Sequence, residues 1–474
     1  MTEARKPTRD IAHLAALAAI VVVGAIVRVL LVNEPMRYDE SYTFVTYATH
    51  PASFITTTYD FPNNHILHTL AVHYAWRVLG NHVWVVRLPA LLAGIALIPA
   101  TYLAGRALYG RAAALWAAAL AAGFATLIDF SVDARGYTMG ITLALLALWL
   151  AAGLLDGGRP WRWPAFAVCC ALAVYTVPTI AYAIATVAAW TAAVALVRRD
   201  LTTLVRLAVA LALAAGLDVA LYSGVLGQAG WTASRPLHDS VGAATGLARV
   251  VWTDWNRTAP WPVEWLVIGG FVASLVFHRR LARHPVPLVV PAAAVILAVL
   301  VFTPAARLPR AWLWLLPLYL MHAGAGLAFA VERATIRLPR AAPASGLLAA
   351  AGVAIVLAAN MMDTRQHGST LPPVSDNQLV AFLKRDVGPG QVVLLNGHVG
   401  VACWYYFQRY RYTPPGLPPR HARVTALLVV PRALGRRGVG LTVGAAGWRV
   451  RPGAPPVRLV KRFDYVDAWR ARIE

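Results

Sequence analysis

Long apolar runs recur along the first three quarters of the chain, and they constrain the fold more than any other feature of the sequence. A helix needs about 20 mainly apolar residues to cross the hydrocarbon core of a bilayer, and the runs are of that order. They are rich in Ala, Leu and Val and do not alternate apolar with polar residues, which argues against a β-barrel. The sequence therefore predicts a polytopic all-α membrane protein.

The positions of these runs predict about eleven transmembrane helices. The predicted spans are 11–32, 84–104, 112–128, 137–155, 164–177, 179–197, 205–224, 263–278, 286–303, 311–330 and 343–361. The composition agrees with this count, since 59% of the residues are hydrophobic and only 14% are charged. Soluble globular domains carry a larger share of charged residues.

The distribution of arginine predicts the orientation of the spans. With the N-terminus in the cytoplasm, every short cytoplasmic loop is basic, as the positive-inside rule requires. The loop residues concerned are Arg106, Arg111, Arg159, Arg162, Arg198, Arg199, Arg206, Arg279, Arg280, Arg283, Arg333, Arg337 and Arg340. We therefore expect a multi-pass protein of the plasma membrane. Two long loops, about 33–83 and 225–262, then lie outside, and the first is expected to contain interfacial helices.

The tail that follows Met362 is less hydrophobic than the rest and predicts a second domain. A helix is expected at Ser375–Asp386, and strands are expected at Gln391–Leu395 and Val424–Val430. We interpret residues 1–362 as a transmembrane catalytic domain and residues 363–474 as a small extracytoplasmic α/β domain. Its role is open between binding an acceptor or glycan and capping the outer face.

The formal net charge of +22 raises the question of nucleic-acid binding. The arginine residues are scattered over short loops and are not gathered on one soluble face, which argues against it. Much of the excess is explained by the positive-inside rule and by anionic lipid headgroups. The expected partner is therefore the lipid bilayer and not a nucleic acid, although the basic C-terminal tail is not explained in this way.

The first outside loop opens with two adjacent carboxylates, Asp39 and Glu40. Acidic side chains at a membrane interface are costly unless they have a use. The same loop holds Asn64, His65 and His68, and the two histidines share one face of a helix. The alternative interpretation is a solvated loop with surface carboxylates.

The second outside turn reads Asp129-Phe-Ser-Val-Asp133-Ala-Arg135-Gly-Tyr137. If the preceding helix continues, Asp129 and Asp133 share a face, where like charges repel unless a cation or substrate lies between them. Arg135 either neutralises them within the turn or binds a phosphate, whose oxygens match the planar guanidinium. The sequence alone leaves both alternatives open.

A third polar cluster contains Arg307 and Arg310, where the ninth and tenth spans meet outside. Positive charge on the outer side departs from the positive-inside bias and needs another cause. An anionic ligand is the simplest cause, and contact with outer-leaflet headgroups is the alternative.

Together these features resemble the GT-C superfamily of membrane glycosyltransferases, in particular its protein O-mannosyltransferase-like and lipid A aminoarabinose transferase-like branch. The resemblance rests on an ordered series of motifs in about the first 155 residues. The series is Arg28 before Asp39-Glu40, then Pro62-Asn63-Asn64-His65, Val86-Arg87-Leu88-Pro89 and Asp133-Ala134-Arg135-Gly136-Tyr137. Asn63-Asn64-His65-Ile66 departs from the more familiar His-Pro-Pro form.

The resemblance implies transfer of a sugar from a polyprenyl-phosphate donor to an acceptor hydroxyl on the outer face, with inversion. The acceptor is expected in an envelope glycan, glycolipid or protein. The catalytic residues implied are Asp39, as general base, and Glu40. The residues expected to bind the donor phosphate and substrate are Asp133, Arg135, Tyr137, Arg307, Arg310, His65 and Asn64. Some relatives use a divalent metal near equivalent acids, and no residue here is assigned to one.

The main alternative from another class is a transporter or flippase of lipid or sugar. Such a protein is expected to place polar residues and broken helices near the midplane, often in an inverted repeat, and neither feature is evident in the sequence. The charges concentrate instead at the outer ends of the spans, which favours an interfacial enzyme. A non-catalytic scaffold is a further alternative, against which the presence of Asp39, Glu40, Asp133 and Arg135 argues.

Overall fold

The structure of the protein is a computed structural model. It describes residues 7–228, 240–257, 259–302, 308–334, 350–352, 354–360, 376–416, 422–453, 455–463 and 466–474. The described chain forms two compact units. The helical unit comprises the described residues of Met1–Val32, Thr56–Ala71 and Arg87–His367, and the sheet unit those of Asn33–Ile55, Val72–Val86 and Gly368–Glu474. The predicted domain boundary at residue 362 lies outside the described residues and stays a prediction.

Helices make up most of the described chain. They are α1 (Pro7–Leu31), α2 (Tyr38–Thr43), α3 (Ala52–Thr57), α4 (Ile66–Leu79), α5 (Val83–Tyr109), α6 (Arg111–Gly123), α7 (Ala125–Ser131), α8 (Tyr137–Leu155), α9 (Arg162–Thr176), α10 (Ala181–Val197), α11 (Leu201–Tyr222), α12 (Ser240–Asn256), α13 (Trp261–Val276), α14 (His278–Leu281), α15 (Val289–Phe302), α16 (Leu315–Ala334), α17 (Ala350–Asn360), α18 (Asp376–Asp386), α19 (Gly397–Arg409) and α20 (Gly435–Ala445).

The predicted spans are found again as helices, although their lengths differ. Six helices are long and apolar enough to cross a membrane, and there are up to eight if the bent pairs α6/α7 and α12/α13 each form one span. The remaining three predicted spans correspond to the shorter apolar helices α9, α15 and α17. The described chain is therefore that of a multi-pass membrane protein, and eleven as its number of spans stays a prediction.

The outward faces of these helices suit lipid and not water. On α11, for example, Val205, Val209, Leu213 and Val219 are each about half exposed or more. A continuous apolar stripe of this kind is unfavourable in water and is normal where a helix faces acyl chains.

The third predicted span is broken, a feature that is not evident from the sequence because the apolar run continues through it. Its halves α6 and α7 meet at Phe124 at an angle of 63°. A break leaves carbonyl groups without helical partners. Arg28 of α1, which is fully buried, donates hydrogen bonds to the carbonyls of Ala121 and Ala122 at 3.2 and 2.9 Å. Arg28, the first residue of the motif series, therefore supplies hydrogen-bond donors to the carbonyls at the break.

The sheet unit contains a four-stranded sheet formed by β1 (Gln391–Leu395), β2 (Val424–Pro431), β3 (Arg458–Arg462) and β4 (Val466–Ile473). The order is β1-β2-β4-β3, with β1 parallel to β2 and the other neighbours antiparallel. One face packs on α20 through apolar side chains such as Val392, Ala426 and Val439. The predicted helix and both predicted strands of the tail are confirmed to within one residue.

The segment that follows α1 packs against α19 within the sheet unit. The main-chain N–H of Met36 donates to the hydroxyl of Tyr406 at 2.7 Å, and the Ser41 hydroxyl donates to the carbonyl of Ala402 at 3.3 Å. These contacts join parts of the chain that are more than 360 residues apart.

Candidate active site

The candidate site in the helical unit starts from the turn between α7 and α8, which carries the motif Asp133-Ala-Arg-Gly-Tyr137. α7 ends at Ser131 and α8 begins at Tyr137. The main-chain N–H of Arg135 donates to the carbonyl of Asp133 at 2.6 Å, which tightens the turn. The preceding helix therefore does not continue to Asp133, so the condition under which Asp129 and Asp133 would share an i,i+4 face is not met.

Gly136 brings this turn against the start of α4. A Cβ atom at Gly136 would lie 2.7 Å from Cγ2 of Thr176 and 3.2 Å from the Cβ atoms of both His65 and His68. Contacts this short require the neighbours to move, so glycine is the residue that permits the approach. The sequence motif thus encodes close packing as well as charge.

Arg135 is buried in the helical unit and contacts the segment that leads into α4. Its Nη1 donates to the carbonyl of Asn63 at 3.0 Å, and its Nη2 lies 3.1 Å from Nε2 of His65. Its guanidinium carbon lies 5.8 Å from the ring centroid of Tyr137. The ring centroids of His65 and Tyr137 are 4.9 Å apart in an edge-to-face arrangement. The structure therefore brings together three of the predicted site residues, Arg135, His65 and Tyr137.

His65 faces two hydrogen-bond donors. The main-chain N–H of Gly136 donates to its Nδ1 at 2.9 Å, and the other ring nitrogen faces the guanidinium of Arg135. A neutral imidazole carries one proton and accepts at one nitrogen only, whereas a guanidinium only donates. The ring can therefore accept from one of these two neighbours. When Nδ1 accepts from Gly136, the proton is on Nε2 and faces Arg135.

Burial and positive charge keep the two histidines of this site neutral. Burial, with the charge of Arg135, lowers the pKa of His65 well below its ordinary value and lowers the pKa of His68 to about 3. Arg310 is near enough for its charge to lower the pKa of His65 further. The charges that act on His65 are thus positive, an environment that favours an anion.

His68 and Tyr59 also belong to this site, although neither was among the predicted site residues. Both ring nitrogens of His68 are buried and have no hydrogen-bond partner among the described residues. Burial raises the pKa of Tyr59, and the charge of Arg135 acts against that rise. The sequence did give a signal for His68, because it shares a helical face with His65. Nothing in the sequence indicated Tyr59.

Other polar residues of the sequence motifs have different surroundings. Asn64 donates from its amide to the carbonyl of Thr58 at 2.8 Å, which stabilises the loop before α4. Asp129 forms an ion pair with Arg257, a partner that the sequence did not suggest. Arg307 lies outside the described residues.

The two adjacent carboxylates Asp39 and Glu40 lie in the first turn of α2, in the sheet unit. Glu40 is fully buried, and its carboxylate accepts a hydrogen bond of 2.6 Å from the main-chain N–H of Arg37. This is the contact that a glutamate makes at the third position of a capped helix. Asp39 is half-buried, and its carbonyl accepts from the Thr43 hydroxyl at 2.9 Å.

A divalent metal has no assigned ligands. Within the ranges that the structure describes, no group of three or more His, Cys, Asp or Glu side chains is arranged to hold a metal ion. His65 and His68 are buried, neutral rings close to the positive charge of Arg135. A metal cation bound there would be repelled by that charge.

Part of the chain matches a known protein family in sequence. Residues 65–221 match the sequence profile of the dolichyl-phosphate-mannose-protein mannosyltransferase family. The match includes His65, Arg135 and Tyr137. No curated protein matches the chain in sequence.

The fold has solved counterparts. The structure of ArnT from Cupriavidus metallidurans in the apo state matches with a TM-score of 0.61 and 14% identity, over 96% of this chain and 97% of ArnT. The same protein bound to undecaprenyl phosphate matches with a TM-score of 0.55 and 13% identity, over the same shares of the two chains. Identities this low show a shared fold. The profile match and this shared fold confirm that the chain resembles the GT-C superfamily of membrane glycosyltransferases.

Proposed function

We propose that the chain transfers a sugar from a polyprenyl-phosphate donor to an acceptor hydroxyl on the outer face of the membrane, with inversion. The acceptor belongs to an envelope glycan, glycolipid or glycoprotein of a bacterium. Two relatives support the donor class. The matching family is named for dolichyl phosphate mannose, and ArnT has been observed with undecaprenyl phosphate. Both lipids are polyprenyl phosphates.

The observation that carries this proposal is the pair formed by Arg135 and His65. Their facing nitrogens are 3.1 Å apart, and when Nδ1 of the imidazole accepts from Gly136, Nε2–H and the guanidinium are two donors directed at each other. A phosphate oxygen that accepts from both Nη2 of Arg135 and Nε2–H of His65 removes this conflict. Charge-assisted hydrogen bonds to phosphate from a buried guanidinium are strong and directional.

The chemistry follows from the charge of the leaving group. As the acceptor oxygen bonds to the anomeric carbon, the bond from that carbon to the phosphate oxygen breaks, and the electron pair leaves with the lipid phosphate. Arg135 and Arg310 stabilise the negative charge that develops there. Asp39 accepts the proton of the acceptor hydroxyl, the role that the family resemblance implies. A single displacement of this kind inverts the anomeric centre and needs no covalent enzyme intermediate.

The test is transfer by the purified chain in liposomes. Wild type and Asp39→Asn are reconstituted with a panel of radiolabelled polyprenyl-phosphate sugars and an envelope lipid extract, and label in the acceptor is followed. We expect transfer by wild type and a loss of several orders of magnitude in Asp39→Asn, because an amide cannot take the proton. Asp60→Asn is the matched control, since Asp60 is an exposed carboxylate of the same outside loop, and it should retain activity.

The same liposomes test the alternative function. If wild type transfers no sugar but moves a fluorescent polyprenyl phosphate between leaflets, the chain is a flippase and the proposal is wrong. Retention of transfer by Asp39→Asn contradicts the assignment of the base but not the enzyme class.

A further inference from the structure

A groove of about 620 Å³ opens on the sheet unit and is not used in the chemistry described above. It is formed by Val393–Leu395 of β1, by α19 from Gly397 to Trp404, by Ala446 and by Tyr38. Its volume lies in the range of small-molecule sites. The described residues that line it include no charged side chain, so it suits a neutral ligand and not a phosphate.

Two aromatic rings of the groove are exposed, in contrast to their neighbours. Trp404 is 40% exposed and Tyr38 is 38% exposed, whereas Tyr405 and Tyr406, which follow Trp404 in α19, are fully buried. Exposed aromatic rings at the rim of a groove provide flat apolar surfaces with a polar edge. The C–H faces of a sugar ring pack on such surfaces, while its hydroxyl groups remain at the edges.

The groove is next to the proposed base in the chain. Tyr38 lines it, and Asp39 is the following residue in the same first turn of α2. α2 is fixed to the wall of the groove by the Tyr406 hydroxyl, which accepts from Met36 at 2.7 Å, and by contact of the Tyr42 and Trp404 rings at 6.3 Å. A ligand in this groove is therefore held at a fixed distance from the main chain of Asp39.

We propose that this groove is the acceptor site and that it binds an uncharged sugar ring, packed on Trp404 and Tyr38, whose hydroxyl is deprotonated by Asp39. The assignment rests on the proposed function and adds the substrate class to it. The acceptor hydroxyl gives its proton to the Asp39 carboxylate and its oxygen to the new glycosidic bond. The displaced lipid phosphate retains the electron pair of the broken bond.

An extended peptide is the competing occupant. β1 is at the edge of the described sheet, and an edge strand can pair with a peptide. The pair of exposed aromatic rings favours the sugar, because strand addition depends on main-chain hydrogen bonds and does not require them. The peptide is therefore an outcome of the test.

The test is saturation-transfer NMR on the full chain in detergent micelles. The probes are a panel of neutral methyl glycopyranosides and glycofuranosides, and a Ser/Thr-containing peptide. We expect signal transfer from wild type to at least one glycoside. In Trp404→Ala the affinity for that glycoside should be lower by at least about tenfold, because aromatic packing supplies much of the contact. Gly397→Leu should also abolish binding, because a Cβ there has open space around it and a larger side chain extends into the groove.

Gly440→Leu is the matched control. Gly440 is an exposed position of α20 in the same unit, a Cβ there also has open space, and it does not line the groove. It should bind like wild type. Equal binding by wild type, Trp404→Ala and Gly397→Leu contradicts the proposal, as does binding of the peptide alone or of neither probe. Donor-dependent label transfer by wild type in liposomes is measured separately, so failure of the groove is distinguished from failure of the proposed function.

Discussion

The hydroxyl of Tyr406 accepts a hydrogen bond of 2.7 Å from the main-chain N–H of Met36, two residues before α2 begins. Tyr406 belongs to α19, near the C-terminal end of the chain, and Met36 is completely buried. Helix α19 therefore has a structural role in positioning α2.

Replacing Tyr406 tests that role. Tyr406→Phe retains the ring and loses the hydrogen bond, which should cost about 1 kcal/mol of stability and reduce kcat about tenfold, because α2 is no longer fixed. Tyr405→Phe is the control, since the Tyr405 hydroxyl accepts from Arg409 within α19 itself. Thermal unfolding and transfer kinetics are measured for both. A similar loss of kcat in the two variants would contradict a specific role for Tyr406.

Arg135→Lys should remove the proposed phosphate site without removing the charge. A lysine ammonium cannot reproduce the fork that reaches both the Asn63 carbonyl and His65. We expect transfer to fall by about 10²- to 10³-fold, the usual effect of removing a donor that stabilises a developing anion. The variant should also bind undecaprenyl phosphate more weakly, as measured by native mass spectrometry. Arg257→Lys, which retains a cation near Asp129, serves as the control and should behave like wild type.

The two buried histidines predict a pH dependence of stability. The pKa of His68 is about 3 in the folded chain, and that of His65 is also below the ordinary value of 6.5. Below pH 6.5 the unfolded chain binds more protons than the folded chain at both positions, so stability decreases as the pH is lowered, by up to about 1.4 kcal/mol per pH unit for each histidine. For His68 this decrease continues to about pH 3, and above pH 6.5 neither histidine changes the stability. Thermal midpoints of wild type and His68→Asn in detergent from pH 4 to 8 measure this slope. His68→Asn should reduce it, whereas His50→Asn, at an exposed histidine, should not.

Gly136→Ala tests the close packing beneath Arg135. The new Cβ would lie 2.7 Å from Cγ2 of Thr176, so we expect a loss of about 1–3 kcal/mol in stability and reduced transfer. The second substitution Thr176→Ser removes that methyl group and should restore part of both. Gly216→Ala, where the Cβ has open space, is the control. Stability equal to wild type in Gly136→Ala would show that the turn adjusts without cost.

Glu40 allows the structural and catalytic roles of a carboxylate to be separated. If it acts by accepting from the N–H of Arg37, then Glu40→Gln retains the acceptor and should transfer sugar at nearly the wild-type rate. Glu40→Ala should lose about 0.5–2 kcal/mol of stability, the usual cost of a lost cap. A loss of activity in Glu40→Gln as large as that in Glu40→Ala, with stability unchanged, would instead support the catalytic role predicted from the sequence.

Much of the fold could be predicted from local sequence. Apolar runs located the helices because burial in lipid needs continuous apolar surface, and α8 and β1 were predicted with the bounds that the structure has. The order of the motifs in the first 155 residues indicated the superfamily. Local patterns also predicted that Arg135 and His65 would be polar site residues, although not that they would meet.

Only the tertiary structure decided what each polar residue contacts. Arg28 binds the carbonyls of a broken helix, Glu40 caps α2, and Asp129 pairs with Arg257, none of which follows from spacing. Periodicity and composition describe the surroundings of a residue within a few turns of the same segment. Contacts such as Arg135 with His65 and Met36 with Tyr406 join segments 70 to 370 residues apart. They depend on how the helices and strands pack together, and this packing cannot be inferred from the order of residues within one segment.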